Sequence, residues 1–76
     1  MSTHDITLKI DGMTCGHCVS SVTEELSAVP GVGGVSVDLA AGGTSTATVS
    51  ADAATSNSAL EAAVAEAGYA LVSIDR

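Results

Sequence analysis

Cys15 and Cys18 are the only cysteines in this 76-residue chain, and they stand three positions apart in Gly12-Met13-Thr14-Cys15-Gly16-His17-Cys18. Two thiols at that spacing can grip one soft metal ion or close into a redox disulfide. The pair falls where an alternating pattern gives way to a helical one, which puts Cys15 in a loop and Cys18 in the first helical turn. There the unpaired N–H groups and the positive end of the helix dipole favour thiolate over thiol. Thiolate sulfur selects Cu(I) or Zn(II) over hard cations. A structural zinc site wants four ligands, and only His4 and His17 are available as nitrogen donors. Cu(I) is satisfied by two or three soft ligands, so an open two-cysteine loop suits it better. A purely structural disulfide would close too short a loop to stabilise the fold much.

The elements that must position these thiols can be read from hydrophobic spacing. Ile6, Leu8 and Ile10 alternate with Thr7, Lys9 and Asp11, as in a half-buried strand that Gly12 ends. Val19, Val22, Leu26 and Val29 then form one apolar stripe of a helix, which Pro30 and Gly31 stop. Val35, Val37 and Leu39 alternate in a second strand, and Ala40-Ala41-Gly42-Gly43 suits a hairpin turn. Thr44 to Ala51 reads as the returning strand, and its weak hydrophobicity predicts an edge position. Leu60, Ala63, Val64 and Ala67 define a second helix, capped by Ser58 with Glu61 or by Ser56, with Gly68 at its C-terminal stop. Tyr69 to Ile74 completes a last strand. The order β-α-β-β-α-β predicts an α+β, ferredoxin-like sandwich, with two helices on one face of a four-stranded antiparallel sheet. It forms a single domain over residues 1–76.

Composition narrows the partners. Nine acidic residues oppose Lys9 and Arg76, for a formal charge of −7. Nucleic-acid binding needs cations to displace phosphate counterions, and this chain has none to spare. Anionic membrane surfaces are disfavoured on the same ground, and no apolar run reaches the ~18 residues of a membrane span. Met1 to Asp5 lacks the basic and apolar segments of a secretory signal. Together with the initiating Met, that predicts a free-standing cytoplasmic protein whose thiols stay reduced.

Gly12-Met13-Thr14-Cys15-Gly16-His17-Cys18 matches the GMTCxxC signature of heavy-metal-associated domains, and the chain resembles the small bacterial copper chaperones of that family. The similarity extends through Val29-Pro30-Gly31-Val32, Val35-Ser36-Val37 and Ala67-Gly68-Tyr69. It implies that Cys15 and Cys18 hold Cu(I) and pass it by thiolate exchange to a CxxC domain of a copper-transporting P-type ATPase. It also implies that Met13 supports the loop from below and that Tyr69 lies near the sulfurs. A monomer without metal and a copper-bridged dimer with it are the expected states. The alternatives are a metal-binding regulatory domain of a larger transporter, or a carrier of another soft metal, Zn(II), Cd(II) or Hg(II). The chain departs from its relatives in having no Phe.

Cys15-Gly16-His17-Cys18 is also the active-site tetrapeptide of protein disulfide isomerases. No Trp precedes Cys15, and the only proline, Pro30, follows the first helix too closely to be a distant active-site cis-proline. The chain is also short for a thioredoxin fold, so it reads as a binding protein and not as an oxidoreductase. A histidine between two cysteines can nevertheless stabilise a thiolate by charge or hydrogen bonding. His17 is therefore expected to tune the sulfurs without being a permanent ligand.

Overall fold

The computed structural model describes residues 3–76; Met1 and Ser2, and with them the initiating methionine, lie outside the described residues. Six elements follow in the order β1 (Thr3–Asp11), α1 (Gly16–Ser27), β2 (Val32–Asp38), β3 (Thr44–Asp52), α2 (Asn57–Glu66) and β4 (Ala70–Asp75). The four strands form one antiparallel sheet in the order β2-β3-β1-β4. Both helices cover the same face: α1 packs on β2, α2 on β4, and the helices on each other. This is the ferredoxin-like arrangement expected from the element order.

Strand register explains why one face is apolar. Ile6 pairs with Val49 and Leu8 with Ala47, while Thr7 pairs with Thr48 and Lys9 with Thr46 on the other face. Ile6, Leu8, Ile10, Ala47 and Val49 are fully buried against Val22 and Leu26 of α1 and Leu60 and Val64 of α2. With no Phe or Trp, this core is filled by branched aliphatic side chains, alanines and Met13. The opposite face carries Thr, Ser and Lys side chains, which explains the low charge density without an exposed apolar sheet.

The expectation that Thr44–Ala51 forms an edge strand is overturned. β3 lies inside the sheet, between β2 and β1, and β2 and β4 are the edges. Its weak hydrophobicity has another cause. Ser45, Ala47, Val49 and Ala51 alternate inward and are buried, and small side chains suffice there because Ser45 and Ala47 pair with the bulkier Ile10 and Leu8 of β1, which fill the same core. The intervening Thr46, Thr48 and Ser50 face away from the helices. Both edge strands are irregular. Gly33 is skipped in β2, and Val72 in β4 falls between the Lys9–Ser73 and Ile10–Leu71 pairs. Such bulges disrupt a continuous edge and discourage strand addition.

Helix ends refine the boundaries read from the sequence. Ser56, not Ser58, caps α2, its hydroxyl accepting from Ala59 N at 3.1 Å. At the other end, Gly68 N–H reaches Ala65 O at 3.0 Å and Tyr69 N–H reaches Val64 O at 3.2 Å. This pair of bonds is the Schellman pattern. It reverses the chain after Ala67 and so determines where Tyr69 emerges.

Candidate metal centre

The cysteine motif occupies the turn from β1 into α1. Gly12 ends the strand with φ +100, a left-handed conformation that a side chain would strain. A Cβ there would lie 3.4 Å from Tyr69 Cδ1, so the ring packs directly on the turn. Met13 then points inward and is fully buried, anchoring the loop in the core. Thr14, Cys15, Gly16 and His17 are exposed, and Cys18 is half-buried.

Cys15 is the N-cap of α1, in extended conformation and without a side-chain capping bond. Ser, Thr, Asp or Asn usually fills this position, and their absence costs about 1 kcal/mol of helix stability. In exchange, the N–H groups of the first turn remain beside the sulfurs. Cys18 stands in that turn, its N–H bonded to Cys15 O at 3.1 Å. The two Sγ atoms lie 3.7 Å apart as free thiols. Among the described residues, no group of three or more His, Cys, Asp and Glu side chains is gathered around a common point.

The two thiols differ in environment. Cys18 is pulled from an ordinary thiol value of 9.0 down to about 6. A backbone hydrogen bond from Thr14 contributes most, followed by the Tyr69 side chain and then the Cys15 backbone, against a smaller opposing effect of burial. The same contact pushes Tyr69 upward, because losing the phenolic proton would remove a hydrogen bond to Cys18 and place two negative groups together. Thr14 Oγ1 also lies 3.9 Å from Cys18 Sγ. Near neutral pH, this environment favours the thiolate form of Cys18 over that of an ordinary thiol.

Sequence reasoning brought Cys15, Cys18, Met13 and Tyr69 to this corner, and the structure puts all four there. It missed Thr14, although its position immediately before Cys15 was a signal that its backbone and hydroxyl would border the sulfurs. His17 is exposed on the first turn, and the groups acting on Cys18 come from Thr14, Tyr69 and Cys15. Tyr69→Phe removes a donor to the thiolate and should move the Cys18 alkylation midpoint upward from about 6, toward 9.0. A midpoint unchanged in Tyr69→Phe would show that the hydroxyl does not set it. His4 is exposed on β1, opposite Ala51, away from this turn.

Comparison with known proteins agrees with this geometry. The family model for the heavy-metal-associated domain matches residues 7–70. Copper-transporting ATPase 2 of Rhizobium meliloti (strain 1021) is 55% identical over 65 residues, which is 84% of this chain and 8% of that protein. The chain thus spans less than a tenth of that relative. Among solved structures, a CopZ metallochaperone superposes with a TM-score of 0.80 at 31% identity, covering 91% of this chain and 100% of that one. The N-terminal domain of a potential copper-translocating P-type ATPase from Bacillus subtilis, solved in its Cu(I)-loaded state, gives 0.79 at 32% identity, over 92% and 85% of the two chains.

Proposed function

The chain belongs to the heavy-metal-associated domain family, and we propose that it is a cytoplasmic Cu(I) carrier that delivers its cargo to a copper-transporting P-type ATPase. The observation that supports this best is the pair of sulfurs 3.7 Å apart on an exposed turn. Two soft ligands retain Cu(I) yet leave its coordination open, so a third thiolate can enter before either of the first two leaves. Cys15, exposed and without a capping bond, is the sulfur that meets an incoming or outgoing ion first. Cys18, whose thiolate form is favoured near neutral pH, holds the ion while Cys15 exchanges.

Transfer then follows ligand exchange. A thiolate of the receiving CxxC pair bonds to Cu(I), Cys15 leaves, the second receiving thiolate bonds, and Cys18 leaves. Cu(I) keeps its oxidation state throughout, and no electron moves. The role is therefore binding and delivery, without catalysis. The same open coordination lets two copies share one ion, so the chain is monomeric without metal and forms copper-bridged dimers at high protein concentration.

Met13 supports the turn from the core, and Tyr69 holds Cys18 in its thiolate form. His17 is exposed on the first turn and is not among the groups that lower Cys18. On that assignment, Tyr69→Phe shifts the alkylation midpoint of Cys18 more than His17→Ala does, and the reverse ranking would transfer the tuning role to His17.

The delivery step is tested by mixing the Cu(I)-loaded chain anaerobically with an apo CxxC domain of a copper-transporting ATPase. The metal on each is then quantified after separation. Equilibration within the mixing time is expected; retention of all Cu(I) on the original chain over hours would refute delivery. The reading as a regulatory domain of a larger transporter draws on the match to Copper-transporting ATPase 2. It predicts that the metal stays on the chain in this same experiment.

A further inference from the structure

The metal loop has a second side. A cleft of about 370 Å³ lies between it and the β2–β3 turn, lined by Asp11, Gly12, Met13 and Thr14 on one wall and Gly42, Gly43 and Thr44 on the other. We propose that this cleft receives a cationic side chain, arginine or lysine, from the protein that accepts the metal. The proposal rests on the reading of the chain as a metal carrier.

Charge complementarity identifies the occupant. Asp11 is the one charged residue lining the cleft, and it is exposed. Thr44 Oγ1 donates to its Oδ1 at 2.7 Å, which orients the carboxylate and leaves its second oxygen for another donor. The chain's own two basic side chains are engaged elsewhere. Lys9 donates to Thr46 Oγ1 at 2.9 Å, and Arg76 donates to Thr55 O and Asn57 Oδ1, each at 2.8 Å. With a formal charge of −7 behind it, the cleft draws a cation. Gly42 and Gly43 carry no side chains, so no side chain of theirs crowds that wall of the cleft.

Placement gives the cleft its consequence for the metal. Thr14 lines it, and its hydroxyl lies 3.9 Å from Cys18 Sγ. A partner side chain seated against Thr14 and Asp11 would hold the partner's own thiolates beside Cys15 and Cys18. Docking and ligand exchange would then share one loop.

The test uses the full chain without metal, labelled for amide NMR and titrated with N-acetyl-arginine amide. Its neutral analogue of the same shape, N-acetyl-citrulline amide, serves as the comparison. The arginine probe should saturably shift the amides of Asp11, Gly12, Thr14, Gly42, Gly43 and Thr44. Citrulline should leave them in place, and Asp11→Asn should weaken arginine binding about tenfold or more. Equal shifts from both probes, undiminished binding in Asp11→Asn, or shifts spread equally over remote carboxylates such as Asp38 and Asp75 would each overturn the proposal. Asp11→Asn retains an oxygen to accept from Thr44, and its Cu(I) retention should equal that of wild type. Because the titration involves no metal, its outcome is separable from that of the carrier reading.

Discussion

Cys15→Ser and Cys18→Ser are each expected to lower Cu(I) affinity by more than the roughly 10–100-fold that losing an outer-shell partner of a metal site costs. The double variant should lose its Cu(I) completely to a chromophoric chelator. Serine matches cysteine in shape but offers a hard oxygen that stays protonated at neutral pH, so the loss is chemical and not steric. Cys15 is exposed and Cys18 half-buried, so circular dichroism of each variant should match wild type. The pH dependence follows from the same sulfurs. Cys18 is held down to about 6, so retention should persist across the neutral range and fall as pH drops through that value, where protons displace the metal. Chelator competition at a series of pH values measures this directly. An alkylation midpoint near 9.0 for Cys18 in the Cys15→Ser variant would mean that Cys18 is an ordinary thiol.

Met13→Ala is expected to destabilise the folded chain by about 2–5 kcal/mol, the range for emptying a large core position. That is a large fraction of the roughly 5–15 kcal/mol available to a typical domain. Met13 is fully buried and packs in the same cluster as Ile10, Leu26 and Leu60, and a core without Phe or Trp has little bulk with which to fill the gap. Urea unfolding of the metal-free protein measures the loss. The same variant separates support from ligation. If Met13 only anchors the loop, the folded fraction should bind Cu(I) with wild-type affinity. A further drop in affinity per folded molecule would make its sulfur a ligand.

Much of this architecture was legible because local signals agreed with one another. Alternation at Ile6, Leu8 and Ile10, the break at Gly12 and the stripe through Val22 and Leu26 all depend on nearest neighbours along the chain. Strand placement in the sheet does not. Thr44–Ala51 looked like an edge because edges and interior strands paired with a bulkier neighbour can share a small-residue alternation. Only the pairing of β3 with both β1 and β2 separates them. Capping was ambiguous for a similar reason, since Ser56 and Ser58 both precede the apolar stripe and the start of helical geometry decides between them.

The candidate site divides along the same line. The spacing of Cys15 and Cys18 exposed them as a pair, and the resemblance to metal-binding domains placed Met13 and Tyr69 beside them. The sources of thiolate stabilisation were not legible. Tyr69 is 51 positions from Cys18 along the chain, and it arrives through the Schellman reversal at Gly68 and its packing on Gly12. Thr14 acts largely through its backbone, which side-chain identity does not reveal. His17, conspicuous in the sequence between two cysteines, lies on the exposed side of the turn.

The central claim is that this turn is an open, two-sulfur site for Cu(I). An anaerobic competition titration of the metal-free chain against a chromophoric Cu(I) chelator, repeated with Zn(II) and a zinc indicator, tests it most directly. One Cu(I) per chain should be retained against the chelator, while Zn(II), short of two ligands on this loop, should be surrendered to its indicator. Near-equal retention of both metals, or retention of Zn(II) with loss of Cu(I), would contradict the account.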